Sequence, residues 1–151
     1  MQVCADQFAR RLNMIRTSFG TVIVCGLPHG EDLLEAIENA ATKADARSGL
    51  FILIGALDKA HFGFYSEGGT FKPIDVQRQL EITSCIGSLA EEDGRLVIHA
   101  HMTVSDSEGR VYGGHVLKGC RIWIRAELTI FQIEGLKRRY DAATGLHVLQ
   151  A

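Results

Sequence analysis

The sequence predicts an α+β fold in which one main helix accompanies a large, mostly antiparallel β-sheet. Three observations predict this class. Residues 33–44 have helical spacing of apolar side chains, and the second half of the chain is a succession of strand-like runs. Asp93-Gly94 is a strong hairpin signal between two of those runs. Because hairpins join strands that run in opposite directions, we expect mostly antiparallel pairing.

The first elements are a strand and the helix. Thr21–Leu27 is a short run rich in β-branched residues, as strands are. Glu31 and Asp32 then favour a helix start, since negative charge is stabilising near the first turn. Gly49 is the expected C-terminal stop. One stripe of the predicted helix carries its apolar side chains, namely Leu33, Ile37, Ala40, Ala41 and Ala44.

The remaining elements are strands. Leu50–Leu57 is apolar at nearly every position, which is typical of a strand covered on both faces. Lys59–Tyr65 is a candidate to pair with it, and residues 66–73 are expected to form a loop. The later predicted strands are Leu80–Leu89, Leu96–Val104 and Cys120–Ile133.

Length and charge restrict the function classes. The 151 residues suffice for a single domain, residues 1–151, with a real core. The net charge of −2 does not favour nucleic-acid binding, and the densest basic cluster, Lys137–Arg139, is typical of a solvated strand end. The first residues have no apolar signal region, and no apolar run approaches the ~20 residues that span a bilayer. We expect a cytoplasmic protein with reduced cysteines and no membrane partner.

The segment "LVIHAHMTVSDSEGRVYGGH" carries three of the six histidines. Strand side chains alternate between faces, so His99 and His101 share one face with their α-carbons about 7 Å apart. His115 follows a predicted hairpin, and Gly113-Gly114 would let the backbone turn and bring it close. Three imidazoles with an open fourth position are typical of a catalytic zinc site. The spacing alone leaves a second interpretation open, in which the histidines line a wet groove without a metal.

Neighbouring strands also carry polar residues on the face opposite their apolar side. In the strand from Leu80, Glu81, Thr83 and Cys85 share one face, opposite Leu80, Ile82 and Ile86. Glu81 is a candidate fourth ligand, partner of a histidine, or general acid or base, or else the ion-pair partner of Arg121 or Arg125. Glu81, Arg121 and Arg125 are therefore the weak catalytic candidates.

The sequence resembles a known family at these motifs. "GEDLLEAI", "ILIGALDKAHFGFY", "RQLEITSCIGSL" and above all H-x-H followed by D-x-x-G-R-V-x-G-G-H are similar to the PPC domain (plants and prokaryotes conserved). The clear match runs from about residue 20 to the end and leaves residues 1–19 as an extension of unassigned role.

The resemblance implies a stand-alone domain that assembles as a homotrimer, with a fold similar to that of acetolactate decarboxylase. It also implies zinc, or another divalent metal, on His99, His101 and His115. Plant members bind DNA through an AT-hook with an R-G-R-P core, and this chain has no such core. The segment "RQLEI" (Arg78–Ile82) also departs from the plant pattern proposed to contact transcription factors.

Three functions follow as hypotheses. The first is a small-molecule metalloenzyme, in which zinc would polarise a carbonyl of a 2-oxo or 2-hydroxy acid while Arg121 or Arg125 held its carboxylate. The second is a DNA-binding or transcription-associated module acting as a trimer. In the third, the metal has only a structural role and holds the subunits of the trimer together. The sequence specifies neither a substrate nor whether the protein is an enzyme.

Overall fold

The fold is taken from a computed structural model, which describes residues 14, 16–66, 70–142 and 145–150. Within these ranges the chain forms one helix and nine strands, as the α+β prediction requires. The expected extension 1–19 lies largely outside the described residues. The elements in chain order are β1 Phe19–Pro28, α1 Leu33–Lys43, β2 Gly49–Ser66, β3 Thr70–Val76, β4 Leu80–Glu92, β5 Arg95–Ser105, β6 Val111–Val116, β7 Arg121–Ile133, β8 Lys137–Asp141 and β9 Leu146–Gln150.

Strand β2 is the centre of the sheet. Its first half pairs with β7 on one side and β4 on the other, and its second half pairs with β3 and β6. Strand β5 joins β4 to β6, so that β2, β4, β5 and β6 close into a ring. Every pairing among the named strands is antiparallel except the single bridge between β4 and β8. The predicted mostly antiparallel sheet is confirmed.

Helix α1 begins as the sequence predicts and ends earlier. The Asp32 carboxylate caps it by accepting hydrogen bonds from the backbone N–H of Leu34 (3.0 Å) and Glu35 (3.2 Å). The helix ends at Lys43, and Asp45 takes a left-handed conformation with φ 52°. The predicted stop at Gly49 is therefore wrong, because an aspartate performs the reversal that glycine usually makes.

Three further expectations are corrected in the strands. The expected loop over residues 66–73 is too long, because residues 70–73 belong to β3. Lys59–Tyr65 continues the 18-residue strand β2 instead of pairing with Leu50–Leu57. In β4 the pairing register with β5 shifts between Ile82 and Ser84, which places one extra residue in the strand. Downstream of this bulge the alternation is reversed, so Cys85 is buried and Ile86 is 61% exposed.

The sheet has an inner face and an outer face. Helix α1 packs against β1, β5 and β7 and helps to cover the inner face. Residues directly opposite each other on neighbouring strands share a face. On the outer face one such row runs from β1 to β6 and ends in two histidines. Its members are Val24, Thr129, Ile52, Ile86, His101 and His115. The largest fully buried inner side chains include Phe51, Phe62, Leu33, Ile37, Leu53, Leu57, Leu89 and Ile122.

Candidate metal centre

The three predicted histidines lie together on the outer face. His101 on β5 is directly opposite His115 on β6, and His99 lies two residues before His101 on the same side of β5. The ring centroids are 5.0–5.3 Å apart, and one nitrogen of each ring lies within 4.8 Å of the others. His101 is exposed, whereas His99 and His115 are half-buried. The cluster is therefore reachable from solvent on one side.

The β5–β6 connection sets the position of His115. The sequence suggested that Gly113 and Gly114 turn the backbone. They do not, because both lie inside β6. A Cβ at Gly113 would be 2.5 Å from the carbonyl oxygen of Met102, so only glycine allows β6 to approach β5 so closely. The turn itself lies earlier, where Gly109 has a φ of 76°. The glycine pair thus serves strand pairing, and the pairing brings His115 to His101.

Asp106 holds that turn. Its side chain is 2% exposed and accepts hydrogen bonds from the backbone N–H of Glu108 and Arg110, each at 3.0 Å. It also accepts from the Arg110 guanidinium (2.9 Å), the Arg78 guanidinium (3.0 Å) and the Tyr112 hydroxyl (3.1 Å). Burial alone would raise the pKa of Asp106, but the hydrogen bonds from Arg110, Glu108 and Tyr112 lower it well below its ordinary value. The D-x-x-G-R motif is therefore a structural clamp on the hairpin that presents His115.

A buried arginine contacts the cluster from strand β8. Arg138 is 6% exposed, and its Nη2 donates to Ser88 Oγ at 2.7 Å and to His99 Nδ1 at 3.2 Å. Its Nη1 donates to the carbonyl oxygen of His147 at 2.7 Å. Its Nε is buried without a hydrogen-bond partner. The basic cluster Lys137–Arg139 is thus not a fully solvated strand end, since its central residue points its charge at the histidines.

The environment keeps two of the imidazoles neutral. Burial, with smaller contributions from the charge of Arg138 and from the neighbouring histidines, lowers the pKa of His99 to about 4. Burial also lowers the pKa of His115, helped by His101 and Arg138. A neutral imidazole retains a lone pair for a metal ion. On the other side of the cluster, the Phe71 ring stacks on His115 with centroids 4.8 Å apart and restricts its orientation.

The three weak catalytic candidates lie elsewhere. Arg121 forms an ion pair with Asp58 at 2.8 Å, so it is the partner of Asp58 and not of Glu81. Glu81 is exposed and lies opposite Ser105 on β5, four residues beyond His101, which places it roughly 13 Å along the strand. Arg125 is exposed on β7, which β2 separates from the ring strands β4, β5 and β6. The structure does not bring any of them to the histidines.

The cysteines form no metal or disulfide site among the residues described. Cys25, Cys85 and Cys120 are free, and Cys4 lies outside the described residues. Burial raises the pKa of Cys85 to about 12 and that of Cys120 to about 11, so both stay protonated near neutral pH. They behave as small apolar side chains of the core.

Comparison with known families decides the relationship. A family model described as the Plants and Prokaryotes Conserved (PCC) domain matches residues 14–134. The chain belongs to the PCC domain family. This is the family to which the histidine motif pointed under the abbreviation PPC. The match ends before β8, so the hairpin that carries Arg138 lies beyond the part that the family model covers.

Curated relatives of this PCC domain include the bifunctional protein GlmU of two Synechococcus strains, JA-2-3B'a(2-13) and JA-3-3Ab. Each is 32% identical, over 126 and 128 residues respectively, and the alignments cover 79% of this chain. The chain spans 19% of the length of these relatives. The similarity therefore concerns one segment of a much longer protein.

Solved structures share the fold of this PCC domain. A plant- and prokaryote-conserved protein of Pyrococcus horikoshii superposes with a TM-score of 0.82 at 26% identity, covering 90% of this chain and 96% of that one. A protein of Archaeoglobus fulgidus described as metal-containing gives 0.84 at 24% identity, covering 93% and 100%. A proposed DNA-binding protein of Ralstonia eutropha JMP134 gives 0.75 at 30% identity, covering 85% and 90%.

Within the described ranges, no helix of this PCC domain is long and apolar enough to cross a bilayer.

Proposed function

We propose that this chain is a divalent-metal-binding PCC domain, with zinc as the ion and His99, His101 and His115 as its ligands. The observation that carries the proposal is the convergence of three imidazole nitrogens within 4.8 Å of one another. The likeness to the metal-containing archaeal protein is a likeness of fold alone at 24% identity, so the argument rests on the imidazole cluster.

The donor set fits such an ion after a small contraction. Zinc–nitrogen distances are about 2.0–2.1 Å, so two ligand nitrogens cannot be more than about 4.2 Å apart. Nitrogens at the 4.8 Å limit would therefore have to approach each other by at least about 0.6 Å, which side-chain rotations can provide. The half-buried positions favour neutral imidazoles, and the exposed side at His101 leaves room for a further ligand. Three protein ligands with an open position are typical of catalytic rather than structural zinc.

One hydrogen bond must change for the ion to bind. A neutral imidazole has one nitrogen lone pair, and in the structure that of His99 accepts the N–H of Arg138. If a metal takes the lone pair at either nitrogen, the other nitrogen carries the proton and cannot accept from Arg138. Metal ligation by His99 and the Arg138–His99 hydrogen bond therefore exclude each other.

The proposed activity is small-molecule chemistry at this centre. A bound zinc ion would act as a Lewis acid that polarises a carbonyl or carboxylate oxygen. This chain's residues would orient the ligands, with Phe71 stacked on His115 and Asp106 fixing the hairpin. A substrate of this kind would enter from the exposed side of His101.

The experiment that tests metal binding is elemental analysis of the purified full chain after incubation with zinc and dialysis. We expect about one zinc per chain, lost in the double variant His99→Ala, His101→Ala. His29→Ala is the matched control, since His29 is exposed and donates no atom to the cluster. Zinc retention in the double variant, or no zinc in the wild type, would refute the proposal.

We further propose that the outer face assembles the chain into the expected homotrimer. Leu50–Leu57 has the continuous apolar pattern of a strand covered on both faces, yet Leu50, Ile52 and Ile54 are 41–55% exposed in the single chain. Val22, Val24 and Ile86 extend this apolar surface, with exposures of 53–72%. Contiguous exposed apolar patches mark interaction surfaces. Light scattering should give a trimer mass that Ile52→Glu reduces and Glu38→Gln leaves unchanged.

A second candidate function is DNA binding, which the 30% identity to the Ralstonia protein favours. The charge pattern of this chain gives it little support, because Arg138 is buried and leaves Lys137 and Arg139 as the exposed cations of β8. Fluorescence anisotropy with a DNA duplex at low salt tests it. Binding that weakens steeply with salt and is lost in a Lys137→Glu, Arg139→Glu variant would establish this function.

A further inference from the structure

The charge of Arg138 lacks a counter-charge in the part of the chain that the structure describes. The side chain is 6% exposed, and no carboxylate there lies within 4.0 Å of its guanidinium. Glu92 acts on it only at longer range and is itself bonded to His147 Nδ1 at 2.6 Å. Burying a cation without an anion is costly, so such a group calls for a ligand or a role.

The free donor of Arg138 indicates the shape of that ligand. Nε is buried without a partner, whereas Nη1 and Nη2 are both bonded. In a guanidinium, Nε–H and one N–H of Nη2 lie parallel on the same edge, spaced to meet two oxygens of one carboxylate or phosphate. Of the two bonds from Nη2, the 3.2 Å bond to His99 is longer than the 2.7 Å bond to Ser88 and is the easier one to release.

We propose that Arg138 forms an oxyanion-binding subsite beside the three-histidine cluster, with its Nε–H and Nη2–H as the two donors. The ligand is a small molecule that carries a carboxylate or a phosphoryl group. Ser88 and the His147 carbonyl hold the guanidinium in place, and β8 supplies it from beyond the family match. The subsite stands on Arg138 itself. Its role in recognising the substrate of the metal centre rests on the proposed function.

The two sites are coupled through His99. When the imidazole turns its lone pair to a metal ion, Nη2 loses one of its two acceptors, which frees a donor for an oxyanion beside the unpartnered Nε–H. When an oxyanion takes this edge, the His99 lone pair is freed for the metal. Each ligand therefore favours the binding of the other, and the oxyanion also offsets the repulsion between the guanidinium and the metal ion.

The test is a titration of the ¹⁵N-labelled full chain with sodium acetate or inorganic phosphate, with sodium chloride as the ionic-strength control. The Nε–H signal of Arg138 is assigned by its loss in Arg138→Lys. We expect this signal to shift and saturate with acetate, phosphate or both, and the two arms show which oxyanion the subsite prefers. Titration calorimetry should find affinity weakened about tenfold or more in Arg138→Lys, which keeps the charge but loses the edge. Arg139→Lys, an exposed neighbour on the same strand, should bind as the wild type does.

The outcomes separate this subsite from the metal centre. No saturable shift of the Arg138 signal, or equal affinities in the two lysine variants, would overturn the subsite even where zinc binds as proposed. Oxyanion binding at Arg138 in a protein that takes up no zinc would support the subsite and refute the metal centre. The titration of wild-type protein is sufficient if Arg138→Lys proves unstable, because it monitors Nε directly.

Discussion

Replacing Arg138 by methionine should make the chain bind zinc more tightly. The arginine donates to His99 Nδ1 at 3.2 Å, and that bond must break before His99 can ligate a metal. Methionine is shorter than arginine, but its flexible apolar side chain can follow the path of the arginine methylenes, and it brings neither a charge nor a donor to His99. The variant therefore removes the competitor for the lone pair while all three imidazoles remain.

The size of the gain follows from the hydrogen bond that no longer has to be broken. A hydrogen bond to a charged group contributes about 1.5–3 kcal/mol, and the 3.2 Å distance places this one near the lower end. Since about 1.4 kcal/mol corresponds to a tenfold change in affinity, we expect a gain of about tenfold. Removal of the repulsion between a guanidinium and a divalent ion acts in the same direction.

Competition titrations with a chromophoric chelator measure this directly, in a buffer free of carboxylate and phosphate. Arg139→Met is the control, because Arg139 is an exposed neighbour on β8. Circular dichroism of each variant checks that the fold is kept. Equal zinc affinity in Arg138→Met and wild type would refute the reasoning, and weaker binding would mean that the arginine supports the site instead of competing for it. Acetate should tighten zinc binding in the wild type but not in Arg138→Met.

Three more predictions concern stability and pH. Asp106→Asn should lower the thermal midpoint at neutral pH, because it removes the carboxylate charge that five donors stabilise. Since the pKa of Asp106 is lowered on folding, the difference in stability between wild type and variant should be full above about pH 4 and should shrink as the pH falls further. Gly87→Ala should lower the free energy of unfolding by about 1–3 kcal/mol, since the added methyl group would overlap Phe51 and lie 2.5 Å from the His99 carbonyl oxygen. Chemical denaturation measures this, and a variant as stable as the wild type would contradict the prediction. The pKa of His99 falls to about 4 on folding, so the unfolded chain binds this proton more readily than the folded one. The metal-free chain should therefore lose stability as the pH falls from about 6.5 to 4. An imidazole signal of His99 that titrates near 6.5 in the folded chain would contradict this prediction.

The strand that carries two of the proposed ligands could be predicted from the sequence because its alternation is unbroken. The even positions of Leu96–Val104 are apolar and turn inward, and His99 and His101 share the outer face as expected. The same rule fails in β4, where one extra residue at the bulge reverses the alternation for Cys85 and Ile86. The sequence sign of the bulge is Ser84, a polar residue at an even position where the alternation expects an apolar one, and a single such residue does not by itself indicate an inserted position.

Arg138 was not predictable as a site residue. In the sequence it stands in a run of three basic residues, which is normally solvated, and it is 39 positions from His99. Its burial depends on the parallel bridge between Glu91 and Lys137, a pairing that no local sequence pattern predicts. Asp106, in contrast, belongs to the D-x-x-G-R-V-x-G-G-H motif, but its role as a clamp depends on the positions of Arg78 and Tyr112, which the motif does not specify.

The shared outer face decides how the metal and the assembly should depend on each other. His101 lies in the same row as Ile86 and Ile52, and adjacent strands are about 4.8 Å apart, so the proposed interface begins within about 10 Å of the histidines. All three proposed ligands nevertheless come from β5 and β6 of one chain, so a subunit would not need its partner to complete the proposed site. Removing zinc with a chelator should therefore leave the trimer mass unchanged. If chelation instead dissociated the subunits and lowered the melting temperature, the metal would act as a staple, and a catalytic role for the open position would lose its main support.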